Sequence, residues 1–168
     1  MQRGFTLIET IIYIAIIGGV IGAFVSFALS VSNSSNKTYA VQEVQANSRV
    51  SLDIITKKIQ AATGVNTTSS TFDFDPGVLS LSFASSALDP TIIQLNADDG
   101  ILQIIEGLGD PISITSDEVE VTNLQFTNLT GASNKENIKI DITVEFANAE
   151  DVEFKYRQDL QTSVSVRQ

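Results

Sequence analysis

The chain has 168 residues and a formal charge of -10, with no cysteine and no histidine. Disulfides, cysteine or histidine metal sites and every nucleophilic mechanism that needs a histidine base are therefore excluded. The acidic balance also argues against nucleic acid as a partner, since phosphate binding requires clustered lysine and arginine. The first element in the chain is apolar: Ile11 to Leu29 carries no charge and matches the roughly 20 residues of helix that cross a hydrocarbon core of about 30 Å. Gly18, Gly19 and Gly22 interrupt it; Gly18 and Gly22 have the spacing of a helix-association signal, which glycine-rich apolar helices also produce by chance. Glu9 stands at the N-terminal edge of the tract, and a carboxylate at the membrane centre costs about 3 kcal/mol or more. Thr6-Leu7-Ile8-Glu9 fits a capping box, with the acid placed to favour the helix dipole. Arg3 and the starting amine flank the tract on one side, which by the positive-inside rule places the N-terminus in the cytoplasm and the rest of the chain outside.

Gly4-Phe5-Thr6-Leu7-Ile8-Glu9, leading directly into that helix, resembles the N-terminus of type IV pilins and of the pseudopilins of type II secretion systems. In that family a prepilin peptidase cuts after the glycine and methylates the new terminal residue, and the glutamate guides assembly. The resemblance implies a leader of residues 1–4, cleavage between Gly4 and Phe5, N-methylation of Phe5 and an assembly role for Glu9. Cleavage would release an amine that is largely cationic at neutral pH. An ammonium and a carboxylate are each costly in an apolar setting, but paired across staggered subunits they compensate one another and set an axial register. Capping and assembly can coexist in Glu9. Family members commonly carry a proline in the first half of the helix, whereas this chain has none before Pro76, so the resemblance is to a minor component, most like a minor pseudopilin of type II secretion (J-class) or a minor type IV pilin. The implied partners are other pilin or pseudopilin subunits, the prepilin peptidase, membrane lipid and a membrane assembly platform with a separate ATPase, since no phosphate-binding glycine-rich loop occurs here. The implied location is a single pass through the inner membrane, then the pilus or pseudopilus, and no cofactor is expected.

Further along, the polar run Ser32 to Lys37 is weakly helical in character and predicts a soft spot. Val41, Val44, Leu52, Ile55, Ile59 and Ala62 then recur at helical spacing among polar residues, predicting an amphipathic continuation of the helix. Gly64 is placed as its C-cap, behind Lys57 and Lys58, whose charges suit a helix C-terminus. From Val65 the period becomes two. Strands are expected at Val78 to Phe83, Ile92 to Leu95, Ile101 to Ile105, Ile112 to Thr115, Val119 to Phe126, Ile138 to Phe146, Val152 to Tyr156 and Thr162 to Arg167. Asp99-Gly100 marks a hairpin turn, and residues 131–137 and 147–151 mark others. The closing strand resembles that of the larger minor pseudopilins and minor pilins. The predicted fold is α+β, a long N-terminal helix packed on an antiparallel β domain. Its parts are residues 1–4 as leader, 5–31 as transmembrane and polymerisation helix, 32–63 as amphipathic continuation and 64–168 as β domain.

Asp73, Asp75, Asp98 and Asp99 are weak candidates for calcium, which some family members bind and which requires six to eight oxygens. Turn formation by Asp75-Pro76-Gly77 and Asp99-Gly100 is the alternative. A catalytic carboxylate pair would require convergence in a cleft that the sequence does not indicate, so no enzyme is expected. Asn33-Ser34-Ser35, Asn66-Thr67-Thr68 and Asn128-Leu129-Thr130 fit the glycosylation pattern by composition alone. The rival reading of the whole is a secreted or membrane-anchored β-rich binding domain with an ordinary signal sequence, cleaved near Ser26-Phe27-Ala28. Against it, Glu9 would fall inside the apolar core of the signal, which is also long for one.

Overall fold

The structure, a computed structural model, describes residues 6–131, 135–147 and 155–167. Among these residues the elements are helix α1 (Leu7–Ala61) and strands β1 (Gly64–Val65), β2 (Leu79–Ser82), β3 (Thr91–Leu95), β4 (Leu102–Glu106), β5 (Ile112–Ser113), β6 (Val119–Asn128), β7 (Asn137–Phe146) and β8 (Arg157–Ser165). The fold is α+β, with a long N-terminal helix packed on antiparallel sheets. The chain divides into two compact units, one ending at Tyr39 and one beginning at Ala40.

The first unit is the leading part of α1. Ser32 to Lys37, expected to loosen, is helical. Serine and asparagine lower helix propensity without breaking a helix as proline does, and the Thr38 hydroxyl turns back to donate to the Ser34 carbonyl at 2.8 Å.

In the second unit the remainder of α1 buries a stripe of Ala40, Val44, Ser48, Ser51, Ile55 and Ile59. Val41 and Leu52, expected on that stripe, are only partly buried. The Ser51 hydroxyl donates to the Asn47 carbonyl at 2.6 Å, so a small polar side chain is buried by bonding its own helix. Polar clamps hold the helix to the sheets. Asn47 accepts the Ser116 N–H at 2.9 Å and donates to the Ser116 hydroxyl at 3.2 Å, and Lys58 pairs with Glu106. Gly64 does not cap the helix: it opens β1, opposite Ser82.

Among the described residues the β region forms two sheets, a five-stranded sheet ordered β1-β2-β3-β4-β5 and a three-stranded sheet ordered β6-β7-β8. All pairings are antiparallel. In β7, Ile138, Ile140, Ile142 and Val144 are buried, as the faultless alternation of that segment predicts. They meet Leu79, Leu81, Ile93, Leu124 and Phe126, together with Val44, Ile55 and Ile59 from the helix, in a single core. β8 begins well before the predicted Thr162, because Arg157, Asp159 and Gln161 are exposed and the residues between them half-buried, which removes the apolar signal. The predicted strand at Val152 lies, as far as Phe154, outside the described residues, as do positions 132–134 and 148–151 of the predicted turns.

Candidate functional site

The N-terminal site is built on the first turn of α1. Thr6 immediately precedes the helix, and the Glu9 and Thr10 N–H groups donate to its carbonyl at 3.1 and 3.2 Å. The bond from Glu9 reaches the Thr6 main chain, not its hydroxyl, so the turn closes by backbone geometry at the capping-box position. Glu9 is the acidic residue of that first turn and is half-buried between exposed neighbours. Beyond it no charge occurs until Lys37. Within that interval the large side chains are bare to solvent, from Ile11 at 57% through Phe24 at 74% to Val31 at 51%. A helix this apolar and this exposed is long enough to cross a membrane, and exposure of that extent in water opposes the hydrophobic effect. Gly4 and Phe5, the expected cleavage and methylation positions, lie outside the described residues.

A family model of the prokaryotic N-terminal methylation motif matches residues 1–28. The chain carries a type IV pilin-like leader. The motif takes in Gly4, Phe5 and Glu9 and most of the apolar tract, and it stops short of the β domain. With the exposed helix behind it, this leader is consistent with a single-pass membrane anchor, and leaders of this type imply processing by prepilin peptidase and assembly with other pilin subunits. No curated protein and no solved structure matches the chain with significance.

The acidic candidates of the β domain fall into two groups. Asp75, Asp98 and Asp99 line one open cavity of about 390 Å³, joined by Glu120 from β6; Asp73 is not among its lining residues. Two of these carboxylates are already engaged by backbone N–H groups. Asp75 accepts the Leu124 N–H at 2.9 Å and Asp99 accepts the Ile101 N–H at 3.1 Å, while Asn96 N–H donates to the Ile101 carbonyl at 2.8 Å to close the predicted hairpin. No group of three or more acidic residues placed to hold a metal ion occurs among the described residues. Glu120 was not distinguishable in sequence, being one more polar position in an alternating strand. It reaches this cavity because Val121 N–H donates to the Gly100 carbonyl at 3.0 Å, drawing β6 against the β3–β4 turn.

On the outer face of the three-stranded sheet, Asp159 accepts from the Thr143 hydroxyl at 2.7 Å and from Arg157 at 3.0 Å. The Thr143 bond first, then the Arg157 bond, hold the Asp159 carboxyl below its ordinary 3.8. This is a cross-strand tie, and its Arg157 also lines an open cavity of about 320 Å³ with Glu120, Glu145 and Tyr156.

Proposed function

We propose that this protein is a structural, non-catalytic subunit of a type IV pilin-like fibre, a minor pseudopilin of a type II secretion system or a minor pilin. The observation that carries this reading is the methylation motif at residues 1–28 running into an exposed apolar helix whose first turn holds Glu9. On this reading prepilin peptidase cuts between Gly4 and Phe5 and methylates Phe5. The N-terminus lies on the cytoplasmic side and the β domain outside, and a separate ATPase acting through a membrane platform drives assembly. Pairing of the Phe5 ammonium with Glu9 of a neighbouring subunit supplies the one specific polar contact in an otherwise featureless apolar interface.

Mass spectrometry of the mature N-terminus tests this. The expected result is a chain beginning at N-methylated Phe5. A start near Leu29 would support an ordinary signal sequence, and an intact Met1 a simple anchor; either outcome overturns the proposal.

A further inference from the structure

Among the described residues the three-stranded sheet leaves one long edge open. Val166 N–H donates to the Glu136 carbonyl at 3.0 Å and Phe146 N–H to the Tyr156 carbonyl at 3.1 Å, and the pairing between them runs unbroken from Asn137↔Ser165 to Glu145↔Arg157. In an antiparallel ladder successive residues turn their N–H and C=O to opposite sides. The even-numbered residues of β8 therefore bond β7, while Arg157, Asp159, Gln161, Ser163 and Ser165 direct theirs outward. Among the described residues no strand pairs with that side.

The other edges are blunted. β1 and β5 have two residues each. The free side of β6 is covered by the loop before β2, where Asp73 and Gly77 N–H donate to the Phe126 and Leu124 carbonyls at 2.8 and 2.7 Å. Folds protect exposed edges with lysine, proline, bulges or short length. β8 has nine residues, no lysine or proline and no bulge against β7, and its two charges, Arg157 and Asp159, sit at one end.

We propose that the outer edge of β8 docks β8 of a second copy of this chain, antiparallel about a two-fold axis at Gln161. Among the described residues a second copy has no other long open edge to offer, so the contact joins like to like. Full overlap of the strands sets Gln161 opposite itself, Asp159 opposite Ser163 and Arg157 opposite Ser165, with no like charges opposed. Centring the pair on Asp159 instead would set two carboxylates face to face. The chosen register joins the outward N–H and C=O groups and merges two three-stranded sheets into one. This inference concerns the β unit and does not depend on how the N-terminus is processed.

The test is the protein mass of the full chain in detergent micelles, measured by light scattering over a concentration series. The expected result is a concentration-dependent rise to twice 18.1 kDa. Ser163→Pro deletes one outward N–H and no bond to β7, as edge strands tolerate, and is expected to be monomeric with an unchanged far-ultraviolet circular dichroism spectrum. Ser163→Asp, repeated by symmetry against Asp159 of the other copy, is expected to weaken association about fivefold, and Ser163→Lys to tighten it by about as much. A native chain that stays monomeric overturns the proposal. So does a dimer that Ser163→Pro leaves intact, which would be held by the apolar helix. Should Ser163→Pro lose its native spectrum, the charge pair decides, and equal association of Ser163→Asp and Ser163→Lys overturns the proposal.

Discussion

Ser48 occupies the middle of the buried helix stripe with 0% exposure, and among the described residues its hydroxyl has no hydrogen-bond partner. A buried hydroxyl without a partner forfeits its hydration for nothing. Ser48→Ala is therefore expected to stabilise the fold by about 1 kcal/mol, read as a higher denaturation midpoint. Two turn glycines separate by what surrounds them. Gly107 has φ +56 and an added Cβ would lie 2.6 Å from the Ala87 carbonyl oxygen, whereas at Gly100, φ +64, it would meet the Glu120 side chain. Backbone cannot swing aside as a glutamate can, so Gly107→Ala is expected to cost about 2 to 3 kcal/mol and Gly100→Ala about 1, by chemical denaturation. Asp159 adds a pH dependence. Its folded carboxyl titrates below 3.8, so the unfolded chain binds the proton more readily, and the tie's contribution is complete above 3.8 and lost as pH falls through the lowered folded value. Thr143→Val, which removes the leading cause of that lowering, is expected to flatten the acid limb of a stability-versus-pH curve by lowering stability at neutral pH while leaving the acid end nearly unchanged.

At the scale of elements, the helix presents its N-terminal features on different sides. At about 100° per residue, Glu9 shares a face with Tyr13, Ile16 and Val20, while Gly18 and Gly22 lie on the far side, with open space where their side chains would be. One neighbouring helix cannot use both. Glu9→Gln and Gly22→Leu are thus expected to impair fibre incorporation independently, the double variant showing the product of the two losses; a double variant no worse than either single one would contradict separate contacts. The sequence made α1, β7 and the Asp99-Gly100 hairpin legible because each has a strong local signal: an uncharged tract, a strict alternation, a residue pair suited to the turn. It hid Ser48 and Ser51 in the helix stripe, since small polar residues break an apolar period yet pack like alanine. It hid the first half of β8, whose outer residues are polar because that face is wet. Division into two sheets rests on where strands stop pairing, which no local pattern encodes. Glu9 was legible as the one carboxylate at the edge of a long apolar run, whereas Glu120 became part of an acidic cavity only through the docking of β6 on a distant turn.

For the molecule as a whole, the core lies within the unit that starts at Ala40, whose side chain is 1% exposed, and none of the apolar residues from Leu7 to Val31 is among the core residues. A fragment beginning at Ala40 is expected to be soluble without detergent and to melt in one cooperative transition, by circular dichroism. Aggregation or a non-cooperative melt would show that the leading helix is needed for folding.

Among the described residues, strand order in both sheets follows chain order without a crossover. Every strand finds its partner across the next loop, so little loop-closure entropy stands in the way of either sheet. Long-range closure comes from the shared apolar core and from bonds such as Leu124 to Asp75 and Val121 to Gly100 between the sheets and Asn47 to Ser116 from the helix. Such a chain is expected to assemble as two local meanders that later lock together. Amides within β3, β4 and β7 are expected to gain exchange protection before the seam at Val121 and Leu124 does.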